Sequence, residues 1–512
     1  MGTVLDVEQG DMRKGTAKWH DLTSVRLGEA GGGLLLLFLL SEIFYLVLAW
    51  RFPLPRLYAT NPPVDFAKLT HYAWGAAAGL LAAYVLLFAA LARVLWFDKQ
   101  GVNGVDVRWI KGGAALFAAT LFFLYPIFAI DMLMYAVRTR LWLLYGANPL
   151  LTFPAQFQDP WIGLTGEWAT TASGYSPLWE MLAVVPGWFT EPHHFAAHLM
   201  GLKGIALAAF LGDVWVLDRV LQQVWPRTRG WRLLYFAWNP LVLLELVGNG
   251  HNDAVMLFFL LLSLWFFWQE REVAAHASLG LAVLIKLTPV FLWPFLWLWG
   301  VVRRPSWRAR LWYSAWVGGL VVLTGLPFLV FLWPDPRPWQ ALRESDFAGR
   351  SLQALGILIA MALHVPHAFT RVQRGLRLVF WVAYGLLLVW AWRGFRRDRE
   401  AGVRAAGLRL VQAWLVVLSL LLLLFASNWR PWYTTWVLAL AALAPLPMWH
   451  WGAFALSFTA ATGDVFWTFI RWRLRQHLTP LIAHLLGVPW VFGVPLIAGW
   501  LGRNRGPSPD DG

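Results

Sequence analysis

The stretch LFFLYPIFAIDMLMYAVRTRLWLLYGANP, residues 121–149, runs through apolar residues and then places one carboxylate, Asp131, where the run ends. An apolar run of about 20 residues can cross a hydrocarbon layer about 30 Å thick, because an α-helix rises about 1.5 Å per residue. After Asp131 the pattern becomes amphipathic, with Arg138 and Arg140 between Met, Leu, Tyr and Trp. The stretch therefore predicts a membrane span, an acid at its mouth and an interfacial helix over 132–145.

The composition extends this prediction to the whole chain. Of the 512 residues, 59% are hydrophobic and only 14% are charged, which is too little polar surface to cover a soluble core of this size. We predict an all-α polytopic membrane protein with about 12–14 transmembrane segments. Twelve of these are apolar runs: 31–50, 72–96, 112–130, 193–217, 233–248, 253–270, 311–333, 378–395, 409–426, 432–449, 452–470 and 480–501.

Clusters of Arg and Lys fix the predicted orientation, because such clusters favour the cytoplasmic side. The segment 276–304 is long enough to cross once, but the clusters favour a pair of half-helices broken near Thr288-Pro289, with both ends cytoplasmic. The predicted layout is a cytoplasmic leader (1–30), one transmembrane domain (31–502) and a cytoplasmic tail (503–512). Two long outer loops, 131–192 and 334–377, are where function is expected, and 351–366 predicts a second interfacial helix.

The net charge of +14 does not indicate a nucleic-acid partner, because the cations form short clusters beside apolar runs, as topology signals do. The chain has no cysteine, so disulfide and thiolate chemistry are excluded. The first span follows a polar leader without a small-residue cleavage site, so we expect it to be retained. No metal site is predicted, and no cofactor can be read from the sequence.

Asp131 has two interpretations that can coexist. As the residue that opens an amphipathic helix it suits an N-cap. As a carboxylate anchored at the outer surface of the bilayer it suits a general base for a lipid-borne substrate. Tyr175, in the same loop, is free to stack on a ring.

The stretch NPLVLLELVGNGHNDAVMLFF, residues 239–259, predicts a tight hairpin at the outer surface. Its glycines can end the incoming helix, and Asn252 or Asp253 can cap the outgoing one. That leaves His251 and Glu245 unexplained, and an acid inside a membrane is costly enough to count as a functional candidate. His251 and Asp253 are therefore candidates for a polar site, whereas Glu245 also fits simple pairing with a neighbouring helix.

Several cations at outer positions are candidates for an anionic headgroup, since guanidinium pairs well with phosphate. Arg430 lies between two Trp in SNWRPWYTTW, residues 427–436, where a snorkelling arginine in an aromatic belt is the competing explanation. Lys286, at the predicted helix break, either binds phosphate or caps exposed carbonyl groups. The other candidates lie in the second outer loop: Arg337, Arg343 and Arg350.

Five motifs occur in a fixed order along the chain. Asp131 closes an early span and is followed by Tyr135 and GANP (146–149). The later motifs are YSPL (175–178), WNPLVLLELVGNGHNDA (238–254), KLTP (286–289) and PWYTTW (431–436). In this order the motifs resemble the GT-C class of integral-membrane glycosyltransferases, in particular the bacterial polyprenyl-phosphate-mannose-dependent mannosyltransferases.

The resemblance implies transfer of a hexose, mannose in the family, from a polyprenyl-phosphate donor to a glycan, glycolipid or protein acceptor outside the plasma membrane. It implies Asp131 as the base and a sugar near Asp253 and His251; Asn252, Tyr135 and Tyr175 complete the predicted sugar site. Arg430, Arg343, Arg350 and Lys286 are the predicted phosphate ligands. The alternative is a transporter or lipid-linked-sugar flippase, which would also have a dozen spans and buried charges such as Asp213 and Asp464.

Overall fold

A computed structural model describes residues 29–97, 99–332 and 349–503. Within these ranges the chain is helical, and β-structure is limited to an isolated bridge between Pro53 and Leu124. The all-α prediction is therefore confirmed. Most of the predicted leader and tail lies outside the described residues, as does 333–348, which contains Arg337 and Arg343.

Among the described residues, eight helices are long and apolar enough to cross a membrane, compared with the 12–14 segments predicted, and they confirm a polytopic membrane protein. Several of them carry large exposed apolar side chains, as expected of helices that face lipid. The eight are Gly32–Arg51, Trp74–Trp96, Phe195–Val224, Trp307–Phe331, Ala368–Ala401, Val403–Phe425, Pro447–Arg473 and Pro480–Gly502.

Shorter helices fill the space between the long ones and form much of the interior. Thr434–Leu443, for example, has all ten residues buried. The predicted span 432–449 is therefore shorter than expected, because the prolines at 445 and 447 end it and begin the next helix. The remaining helices of this group are Val107–Phe122, Arg229–Ala237, Pro240–Gly248, Asp253–Trp268, Glu272–Ile285 and Trp293–Arg303. Shorter helical turns connect them: Leu54–Leu57, Phe66–Leu69, Lys99–Gly104, Pro154–Gln156, Ile162–Trp168, Pro226–Thr228, Thr288–Leu292 and Pro431–Tyr433.

The 30-residue helix Phe195–Val224 connects two ends of the bundle, and a polar contact marks each of them. Near its start, Lys203 Nζ donates a hydrogen bond of 2.8 Å to the carbonyl oxygen of Gly248. Near its end, Asp218 Oδ2 is 2.9 Å from Lys111 Nζ. We name these the Lys203 end and the Asp218 end.

The predicted break in 276–304 is present. Glu272–Ile285 stops one residue before Lys286, and a 3₁₀ turn over Thr288–Leu292 leads into Trp293–Arg303. The start of the first helix and the end of the second lie side by side, since Arg304 Nη2 is 2.6 Å from Glu272 Oε2. Both ends are therefore on one side of the bundle, and Lys286 is at the tip on the other.

The stretch 239–259 bends sharply, but its tip is not at the surface. Pro240–Gly248 and Asp253–Trp268 meet at 115°. Gly250 makes the turn with φ +72°, and a Cβ there would come within 1.9 Å of Met132 Cε. Residues 249–252 are buried beneath the Asp131 helix, so this hairpin forms the floor of the Lys203 end.

Residues 351–366 contain the predicted second helix, Leu352–Ala362. Its last turns expose Ile359 and Met361, which suits a position at the membrane interface. Ser351 Oγ donates a hydrogen bond of 2.7 Å to the carbonyl oxygen of Ser427, so this helix starts beside the loop that carries Arg430.

Candidate active site

Asp131 is the first residue of the helix Asp131–Tyr145, and it does not cap it. The capping position belongs to Ile130, without any side-chain hydrogen bond. The Asp131 carboxylate instead accepts a hydrogen bond of 2.5 Å from the hydroxyl of Tyr175, and it is only partly buried. The carboxylate is thus oriented by a neighbour and still open on one side, which the base interpretation requires.

The helix after Asp131 lies where the amphipathic pattern predicts, but its arginines do not face lipid headgroups. Arg138 donates to the carbonyl oxygens of Thr171 and Ala172 at 3.2 and 3.3 Å. Arg140 pairs with Asp159 at 2.9 Å and with Glu191. Both guanidinium groups therefore hold the loop over the helix, and the amphipathic pattern reflects burial beneath that loop.

An aromatic cluster connects Asp131 to the buried hairpin. The rings of Tyr135 and Tyr175 are 5.0 Å apart, and Tyr135 also packs edge-on against Trp179 at 4.8 Å. The Tyr135 hydroxyl reaches across to Asn252 Oδ1 at 3.3 Å. Asn252 is fully buried and makes no side-chain capping bond, so its amide serves this contact and not the helix start.

Asp253 and Lys286 form an ion pair beside this cluster. Lys286 Nζ is 2.8 Å from Asp253 Oδ1 and 3.0 Å from Oδ2. The indole nitrogen of Trp436 donates a third hydrogen bond to Asp253 at 2.7 Å. Lys286 also lies 4.8 Å from the ring centre of Tyr433. Its structural partner is therefore a carboxylate and not the free carbonyl groups considered from the sequence.

His251 stacks on Trp432 with ring centres 3.9 Å apart. The imidazole is fully buried and neither ring nitrogen makes a hydrogen bond, although Nε2 lies 3.3 Å from Glu245 Oε2. Glu245 itself accepts a hydrogen bond of 2.8 Å from Asn249. His251 thus lies in the floor of the Lys203 end, where Nε2 faces Glu245 and Nδ1 can bind a ligand or water.

The two described arginine candidates are close to one another. Arg430 lies 5.9 Å from the ring centre of Trp432, and Arg350 pairs with Asp464. Burial and the positive charge of Arg430 both lower the pKa of Arg350 from its usual value, although Asp464 opposes the shift. Arg430 has no ion-pair partner among the described residues, whereas Arg350 is paired with Asp464. Of the two, Arg430 is therefore the cation whose charge is available to a ligand.

Sequence reasoning assigned no site role to three residues that complete this arrangement: Tyr433, Trp436 and Asp464. The two aromatic residues fit the pattern of a membrane-interface belt, and Asp464 was only one of several buried acids. Their partners are more than 100 residues away along the chain, so local spacing carries no signal for them. Among the described residues, no group of three His, Asp or Glu side chains is arranged to hold a metal ion.

Replacing Tyr175 by Phe tests how Asp131 is oriented. Hydrogen bonds to charged groups contribute about 1.5–3 kcal/mol, so we expect transfer to fall about 10- to 100-fold. Burial and the negative charge of Asp131 raise the pKa of Tyr175 above its usual value, so the hydroxyl remains a donor at neutral pH and the loss should be equal from about pH 6 to pH 9. Tyr145→Phe, which removes a hydroxyl bonded to Gln158 in the same loop, is the control and should stay near wild type.

A polytopic helical bundle with a carboxylate, aromatic rings and cations gathered at one end fits the GT-C class of membrane-embedded glycosyltransferases. Comparison with known proteins gives the same class. The family described as alpha-(1->6)-mannopyranosyltransferase, N-terminal domain, matches residues 35–302, just over half of the chain. The chain belongs to this family, and the matched region of the chain contains Asp131, the 239–259 hairpin and Lys286.

Two characterised relatives are similar over most of their length. Alpha-(1->6)-mannopyranosyltransferase A of Mycobacterium tuberculosis is 26% identical over 393 residues, covering 71% of this chain and 72% of the relative. The protein of the same name from Corynebacterium glutamicum is 22% identical over 433 residues, covering 75% and 83%. No solved structure matches the chain.

Proposed function

We propose that this protein transfers mannose from a polyprenyl-phosphate donor to a glycan, glycolipid or protein acceptor on the extracytoplasmic face of the plasma membrane, with inversion at the anomeric carbon. The observation that carries this proposal is the partly open carboxylate of Asp131, held at 2.5 Å by Tyr175 at the Lys203 end. The names of the relatives support mannose as the sugar and an α-(1→6) linkage as the product.

Chemistry and the position of the site both support a lipid carrier in this proposal. Outside the cytoplasm an activated sugar has to arrive on a lipid, so the enzyme needs a membrane groove beside its polar site. The exposed apolar helix Leu352–Ala362 begins next to the Arg430 loop and offers such a surface to a prenyl chain. The polar headgroup would then lie over the buried hairpin.

In the proposed reaction, an acceptor hydroxyl oxygen attacks the anomeric carbon while Asp131 takes its proton. The new glycosidic C–O bond forms as the bond between the anomeric carbon and the phosphate oxygen breaks, and polyprenyl phosphate leaves with that electron pair. Inversion that yields an α-linked product requires a β-linked donor. Because the leaving phosphate is a stable anion, one base and one well-placed cation can suffice.

The buried groups of the hairpin have supporting roles in this proposal. Asp253 and His251 would contact sugar hydroxyl groups, and the Tyr135 ring would line one side of the sugar site. Lys286 holds the Asp253 carboxylate in place, because it donates to both carboxylate oxygens. Arg430 would contact the donor phosphate, since, unlike Arg350 and Lys286, it has no carboxylate partner among the described residues.

Arg430→Gln tests the phosphate contact. Loss of a charge-assisted hydrogen bond of about 1.5–3 kcal/mol should raise KM for the lipid donor about tenfold or more, with a smaller effect on the acceptor. The measurement is initial transfer rate against donor concentration. Arg473→Gln, at an exposed position in the same outer region, is the matched control. Unchanged donor KM in Arg430→Gln would remove Arg430 from the phosphate site.

The function itself is tested with the purified protein in liposomes and a panel of radiolabelled polyprenyl-phosphate sugars. We expect covalent transfer from polyprenyl-phosphate mannose and little from the other sugars or from sugar nucleotides. Movement of the labelled lipid across the bilayer without a new glycosidic bond would support a flippase and contradict this proposal.

A further inference from the structure

A second polar feature lies at the opposite end of the bundle from the proposed active site. A cavity of about 660 Å³ opens between the Val107–Phe122 and Phe195–Val224 helices and the turn that begins Arg229–Ala237. A cavity of this size is large enough for a headgroup and far larger than one ion needs. It shares no residue with the Asp131 site.

The cavity is built around a buried carboxylate. Asp218 is 1% exposed and accepts hydrogen bonds from Lys111 at 2.9 Å and from Arg229 at 2.6 and 2.8 Å. One carboxylate cannot neutralise two cations, so this triad keeps one positive charge. The side chains of Lys111 and Arg229 are 33% and 25% exposed, so each still presents donor capacity to a ligand.

Two more arginines add charge at the cavity mouth. The lining includes Arg108 and Arg219, with Asp106 as the other acid, so four cations face two carboxylates. Asp106 is 4.0 Å from Arg108 and both side chains are exposed, which makes that pair weak. The net charge of the lining is therefore positive and selects for an anion.

The helices that border the cavity also have the features of a membrane interface. Trp109 is 69% exposed and Trp215 is 41% exposed, each on a helix that borders the cavity. The guanidinium of Arg219 lies 5.4 Å from the ring centre of Trp215. Exposed indoles mark the headgroup level of a bilayer, and basic pockets between membrane helices bind anionic headgroups.

We propose that this cavity is a binding site for a phosphate group, supplied by the headgroup of an anionic phospholipid. Lys111 and Arg229 contact the phosphate inside the cavity, and Arg108 and Arg219 neutralise it at the mouth. The acyl chains extend from the mouth along the neighbouring helices past Trp109 and Trp215. This site is independent of the proposed transfer reaction.

The test is native mass spectrometry of the full-length protein with added phosphatidylglycerol or phosphatidylcholine. Wild type should retain one phosphatidylglycerol, with at least about tenfold preference over phosphatidylcholine. The R108E/R219E variant leaves the Asp218 triad intact and should bind phosphatidylglycerol at least about tenfold more weakly. R219Q, a milder change, provides the same comparison if the double variant does not accumulate.

Arg396→Glu is the matched control, because Arg396 also lies over an exposed indole, 5.3 Å from the ring centre of Trp392, but not in the cavity. It should bind like wild type. Displacement of the lipid by millimolar inorganic phosphate would assign the site to the free anion, and no displacement would assign it to the lipid headgroup. Equal binding of the two lipids, or equal binding by wild type and both cavity variants, would overturn the proposal.

Discussion

Asp131→Asn should lower mannosyl transfer by about 10²–10⁴-fold, because that is the usual contribution of a general base and the amide cannot accept the acceptor proton. The substitution is nearly isosteric and keeps an oxygen that can accept the Tyr175 hydrogen bond, so the fold should persist. Transfer is measured in membranes with labelled polyprenyl-phosphate mannose, normalised to the amount of protein.

The control is Glu167→Gln, which makes the same carboxylate-to-amide change at an exposed position in the same outer loop. It should transfer mannose at the wild-type rate. Wild-type transfer by Asp131→Asn as well would show that the acceptor proton goes elsewhere and would remove Asp131 from the role of base.

Asp253→Asn should have the second-largest effect, since it acts on stability and on transfer. The side-chain carboxylate is 1% exposed and bonds to both Lys286 and Trp436. Removing one member of a buried ion pair leaves the other charge without compensation and costs about 3–5 kcal/mol. We expect a lower unfolding temperature in detergent and at least about tenfold slower transfer.

The double variant D253N/K286M separates the two effects. It removes the uncompensated charge, so stability should recover relative to Asp253→Asn alone. Transfer should stay low if Asp253 contacts the sugar as proposed. Recovery of transfer together with stability would mean that the pair only holds the hairpins together.

Much of the fold could be predicted because its signals are local. Apolar runs predicted most of the helices, although the predicted span 112–130 is helical only as far as Phe122, and the charge asymmetry predicted the break near Lys286. The depth of the 239–259 hairpin could not be predicted, because it depends on Met132 and the outer loop covering Gly250. The cations at 138 and 140 were misread for the same reason: an arginine paired inside a loop has the same local pattern as one facing headgroups.

For the candidate site, the sequence pointed to Asp131, Tyr175 and Asp253, but not to their pairing partners. The contact between Asp253 and Trp436 joins residues 183 positions apart. A tryptophan near the end of a span is ordinarily explained by the membrane interface. The residues next to Trp436 in the sequence therefore do not show that its indole donates a hydrogen bond to a buried carboxylate. Such partners become visible only when the helices are packed.

The most direct test separates donor binding from chemistry in Asp131→Asn. Purified wild type and variant are reconstituted in liposomes, and equilibrium binding of labelled polyprenyl-phosphate mannose is measured beside a single-turnover transfer with saturating acceptor. We predict donor affinity within about twofold of wild type and a single-turnover rate at least about 100-fold slower. A near-normal single-turnover rate, or a loss of donor binding that accounts for the whole defect, would contradict the assignment of Asp131 as the base.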